Sequence, residues 1–98
     1  MNSYMIDIDL PKEVTAEFLS LIPKQKNLVS KLMKEGRISN YSLSYDRRKV
    51  WIVLNAQSAF EVKDTIRSFP IYTYIRYKVH NLLFHDSSSI NTPQLWLN

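Results

Sequence analysis

The sequence predicts a ferredoxin-like α+β fold with the element order β-α-β-β-α-β. Apolar residues alternate with period two over residues 4–10 and again over 38–45. They recur at helical spacing over 18–33 and 59–66. A run rich in β-branched and aromatic residues, 71–84, follows the second helical stretch. Strands split around helices in this order make an antiparallel sheet with both helices on one face.

The first strand places Tyr4, Ile6, Ile8 and Leu10 on one face and Met5, Asp7 and Asp9 on the other. Pro11 ends it, because proline has no N–H for the ladder. Thr15 is the expected N-cap of a helix reaching about Glu35, with Phe18, Leu21, Ile22, Leu28, Val29, Leu32 and Met33 as its apolar stripe. Pro23 interrupts the stripe and predicts a kink, or two helices end to end. Gly36 suits the left-handed position after the last turn.

Residues 38–45 alternate Tyr41, Leu43 and Tyr45 against Asn40, Ser42 and Ser44. The polar turn Asp46-Arg47-Arg48-Lys49 leads into Val50-Trp51-Ile52-Val53-Leu54, which predicts a hairpin. Ser58 and Glu61 match a capping box, and Pro70 stops the helix they begin. Residues 71–84 predict the last strand, and Asp86-Ser87-Ser88-Ser89 a loop.

With 98 residues the chain is one domain. Residues 1–85 are expected to form it. Residues 86–98 are expected to be a C-terminal tail docking through Leu95-Trp96-Leu97 on a neighbouring subunit. A domain of this size buries about 60–70% of its unfolded surface, so contact between subunits would add to a modest core. A sheet clothed by helices on one side leaves Trp51 and Val53 on a bare face, which a symmetric partner would cover. There are no cysteines, which excludes disulfides, thiolate zinc sites and cysteine nucleophiles. That usage suits a reducing cytoplasm. No segment approaches the ~18 apolar residues of a membrane span. Thirteen basic and nine acidic residues give a net charge of +4, read as a solvated mixed surface.

The run Ser68-Phe69-Pro70-Ile71-Tyr72-Thr73-Tyr74-Ile75, followed by Val79, Leu82-Leu83, His85 and Ser87-Ser88-Ser89-Ile90, resembles the C-terminal signature of the muconolactone isomerase family. Asp7-Ile8-Asp9-Leu10-Pro11 at the start is also similar, as is the helix exit Lys34-Glu35-Gly36-Arg37. The resemblance implies a dimeric α+β barrel with two sheets face to face, and higher rings of subunits. It implies a pocket between the sheet and the first helix, closed by a neighbour's C-terminal tail. Where the family carries an arginine-glutamate-lysine run, this chain has Lys24-Gln25-Lys26, so a titratable carboxyl is replaced by an amide. Where the family has a histidine before the second strand, Asn40 stands here.

The implied reaction moves a proton beside a lactone carbonyl and needs a base and donors to the enolate oxygen. Lys26 and Asp7 are the expected catalytic residues. Lys26 would act as a cation for a substrate carboxylate or as a desolvated base, and Asp7 as general base on the strand face opposite Ile6 and Ile8. Lys24, Gln25, Asn40, Tyr41 and Trp51 are the expected substrate-binding residues. The plainer readings are exposed helix lysines, a salt-bridged strand aspartate and packed aromatics. His80 and His85 face opposite ways on a strand and its exit, so no metal pair is expected. No glycine-rich loop cradles a phosphate, so no cofactor is expected. The expected partners are a small-molecule substrate and further copies of the chain, with no membrane. Two other classes stay open: a small-ligand binder or oligomer-forming protein without catalysis, and an RNA-recognition module stacking bases on Trp51, Tyr72, Tyr74 and Tyr77. Against the latter, the third strand lacks the glycine-aromatic signature of such modules.

Overall fold

The alternation in the first strand becomes β1 (Asn2–Asp9), whose Tyr4, Ile6 and Ile8 are buried while Met5 and Asp7 face the other way. The computed structural model describes residues 1–86. In order they form β1, α1 (Ala16–Lys34), β2 (Ile38–Leu43), β3 (Lys49–Ala56), α2 (Ala59–Arg67) and β4 (Arg76–Asn81). The strands form one sheet in the order β2-β3-β1-β4, with every neighbouring pair antiparallel. This is the expected β-α-β-β-α-β fold.

The helix ends follow local chemistry. The Thr15 hydroxyl accepts from the Phe18 N–H, and the Ser58 hydroxyl from the Glu61 N–H. In return, Glu61 Oε1 accepts from the Gln57 N–H at 2.7 Å. At the end of α1, Arg37 N–H reaches Leu32 C=O and Gly36 N–H reaches Met33 C=O, with Gly36 at φ 76°. That pair of bonds is a Schellman closure, and it needs the left-handed residue that glycine supplies without strain. Pro23 does not divide α1. The carbonyl deprived of its N–H belongs to Leu19, on the exposed side, where water can satisfy it.

Both helices lie on the face of Ile6, Ile8, Ile52 and Leu54, and Val29, Leu32, Val62 and Ile66 complete the core against them. Each fully buried aliphatic side chain contributes about 1.5–3 kcal/mol of transfer free energy. Met33, expected on the apolar stripe, is exposed instead.

The last strand is shorter than its composition predicts. After Pro70, Tyr72–Tyr74 form a 3-10 turn. Ile71 N–H there donates to Gln25 Oε1 on α1, and the Tyr74 ring meets Phe18 edge-on at 5.5 Å. At the far end Leu82 N–H bonds Ser3 C=O, close to where β1 begins, so β4 runs out of partner.

From Leu82 the chain crosses the face opposite the helices, and His85 Nε2 meets Asn40 Oδ1 on β2 at 2.8 Å. The crossing corrects one expectation. Val53 is 2% exposed, covered within its own chain rather than left bare. Trp51 on the same face is 39% exposed, and the crossing segment turns Leu83 (97%) and Phe84 (73%) outward. The Leu95-Trp96-Leu97 tail lies outside the described residues.

Candidate functional site

Antiparallel register assembles charges at one end of the sheet. Asp7 stands opposite Trp51 on β3 and Lys78 on β4, and Asp9 opposite Lys49 and Arg76. Lys49 Nζ lies 3.0 Å from Asp7 Oδ1 and 2.9 Å from Asp9 Oδ1. The Lys49 hydrogen bond is the main reason the Asp9 carboxyl is held below its ordinary range. Asp9 and then Asp7 raise the Lys49 ammonium in return.

The hairpin turn fixes where Lys49 begins β3. Ser44 N–H bonds Lys49 C=O, and the Ser44 hydroxyl accepts from Lys49 N–H. Asp46 Oδ1 accepts from the Ser44 hydroxyl at 2.7 Å and from Arg48 N–H at 3.0 Å, which holds its carboxyl down as well. Arg47 closes the turn at φ 61°.

Beside this network lies a cleft of about 780 Å³. Lys12, Arg48, Lys49 and Arg76 line it with Asp9 and Asp46. Leu10, Pro11 and Tyr74 supply its apolar wall. Tyr74 is carried there by the 3-10 turn that Gln25 and Phe18 hold against α1. The cleft is therefore built by the exit of β1, the hairpin and the entry to β4. It suits a small anion with an apolar or flat body.

The expected site residues divide between two sides of the sheet. Asp7, Trp51 and Asn40 share the face opposite the helices, with Asp7 and Trp51 directly paired. Tyr41 pairs with the core residue Ile52, so it lies on the helix side at the sheet edge, and burial pushes its phenol up. Lys24 and Lys26 are exposed on α1. Gln25 between them is 3% exposed and accepts the Ile71 N–H at 3.4 Å. Within one chain the sheet separates Lys26 from Asp7. Lys49, Asp9, Arg48 and Arg76 were absent from the expected site. The acidic alternation of β1 hinted at them, but only the register shows that a lysine three residues past a turn aspartate sits between two carboxylates.

The profile of the muconolactone delta-isomerase family matches residues 3–88, nearly the whole chain. The chain belongs to the muconolactone delta-isomerase family. Among solved structures, it is similar to a muconolactone isomerase crystal structure determined at 3.3 Å. That likeness has a TM-score of 0.71 at 22% identity, over 88% of this chain and 93% of that one. At this identity the likeness speaks for the fold. No curated protein sequence matches the chain. Among the described residues, no helix is long and apolar enough to cross a membrane.

Proposed function

We propose that this member of the muconolactone delta-isomerase family shifts a proton within a small lactone-like carboxylate. The observation that carries the reading is the family match over residues 3–88. The cationic cleft supports it, because a substrate carboxylate needs charge-assisted donors. Asp7 supports it too, as a half-buried carboxylate beside that cleft.

In such a shift the base takes the proton from the γ-carbon of the conjugated lactone. The C–H electron pair passes through the double bond into a dienolate, and the proton returns at the carbon beside the carbonyl, moving the double bond. Asp7 is the proposed base. Lys49 has a second carboxylate, Asp9, on which to remain when substrate approaches Asp7. Trp51 walls the approach beside Asp7. Lys26 is the second candidate, as a cation for the substrate from the helix side, with Lys24 beside it.

The reading includes a second copy of the chain over the face that carries Asp7. Trp51, Leu83 and Phe84 leave apolar surface there, and covering it would also keep water from the base. Location in the cytoplasm belongs to the same proposal.

Turnover of muconolactone by the purified protein tests the reaction. Asp7→Asn should lower kcat about 10²–10⁴-fold, the range for loss of a general base. With substrate on the Asp7 face, Lys26→Ala should leave KM and kcat near their wild-type values, and a raised KM would instead put the substrate carboxylate on the helix side. Gln25 favours a second reading. It replaces the family glutamate with an amide, and its oxygen is already engaged by the Ile71 N–H. Under that reading the protein binds the lactone without converting it, and the same assay then shows saturable binding with no product.

A further inference from the structure

The cleft at the end of the sheet holds more positive charge than a single carboxylate uses. Of its four cations, only Lys49 is held in ion pairs among the described residues. Lys12, Arg48 and Arg76 meet no carboxylate there. Of the two carboxylates on the wall, Asp9 is bonded to Lys49, and Asp46 Oδ1 is engaged by the Ser44 hydroxyl and the Arg48 backbone.

The free cations are also divided in space. Leu10 N–H bonds the Arg48 C=O at 2.9 Å, so Arg48 stands on the β3 flank of the β1 exit. Arg76 pairs with Asp9 in register and stands on the β4 flank. Neighbouring strands lie ~4.8 Å apart, so the backbone positions of the two arginines are roughly 10 Å from each other, and both side chains line the cleft. Between them run Leu10 and Pro11, with Tyr74 on the wall and Lys12 just beyond.

We propose that the cleft selects a small dicarboxylate whose acid groups are separated by a short apolar or flat spacer. Arg48 takes one carboxylate, and Arg76 with Lys12 takes the other. The guanidinium fork matches the two oxygens of a carboxylate, and the Leu10–Pro11 floor accepts the spacer. A monocarboxylate leaves one flank without a partner. The inference goes beyond the reading above, since it concerns a ligand with a second acid group, and it rests on the lining of the cleft alone.

Titration calorimetry on the full chain at low salt tests it, with adipate, hexanoate and inorganic phosphate as probes. Adipate should bind at least about tenfold more tightly than hexanoate, the difference one added charge-assisted pair supplies. Arg48→Gln and Arg76→Gln should each remove most of that preference, while Lys63→Gln on α2 should keep it. All three positions are exposed, and circular dichroism checks that the variants fold. Equal affinity for adipate and hexanoate overturns the proposal, as does the absence of binding. So does a preference that survives both arginine changes, or tighter binding of compact phosphate than of adipate. Muconolactone turnover without a dicarboxylate preference would remove this inference and leave the reaction; the preference without turnover would do the reverse.

Discussion

Arg47 is the one residue other than glycine at positive φ among the described residues, at φ 61°. A side chain there crowds the following carbonyl, and nothing in the turn requires arginine's charge. Arg47→Gly should therefore stabilise the fold by about 0.5–1 kcal/mol, seen as a higher urea midpoint with an unchanged slope. A lower midpoint would mean that the guanidinium makes a contact worth more than the backbone strain. Lys49, two residues on, sets the acid limb of stability. The folded Asp9 carboxyl is held below its model value of 3.8, so its contribution is present above that pH and is lost as pH falls through the depressed value. The Lys49 ammonium is raised above 10.5 and the Tyr41 phenol above 10.0. Their contributions hold below those values and are lost as pH rises beyond them. Thermal midpoints should be level between these limits and decline below about pH 4 and above about pH 10. Lys49→Met should flatten the acid decline at low salt. At high salt the wild type should approach the variant, because the pair is largely exposed and screened. An acid limb unchanged in Lys49→Met would assign that decline to other carboxylates.

At the scale of elements, the closure of α1 depends on Gly36. A Cβ there would meet no atom within 4 Å, so Gly36→Ala has only the backbone to overcome at φ 76°. It should cost about 1 kcal/mol in chemical denaturation, without loss of helix signal. The caps and alternation were legible in sequence because they are local: Thr15, Ser58 and Gly36 act within a turn of their own helix. The 3-10 turn at Tyr72–Tyr74 was not. Its residues have strand composition, and tertiary bonds from Gln25 and Phe18 override that preference. The same holds for the site. Asp7 and Trp51 were legible as sharing a face once strand alternation was read, but the union of Asp7, Asp9 and Lys49 depends on pairing register, which no local pattern encodes. Asn40 shows the point from the other side. It meets a histidine 45 residues away, across two intervening strands.

For the whole molecule, the sheet has one face under α1 and α2 and one face crossed by its own chain from Leu82 to His85. Val53 on that face is buried, whereas Trp51 and the crossing residues Leu83 and Phe84 are exposed. A ferredoxin-like unit of this size gains stability by burying such a surface against a second copy. The proposed chemistry gains as well, because Asp7 lies on that face and an uncovered base would remain in contact with water. The proposed reaction thus requires a second copy over that face. Sedimentation equilibrium at micromolar concentration tests it most directly. The account predicts a particle of at least twice the 11.6 kDa chain mass, reduced to a folded single chain by Trp51→Glu. A wild-type protein that sediments as one 11.6 kDa chain over the whole concentration range would contradict it.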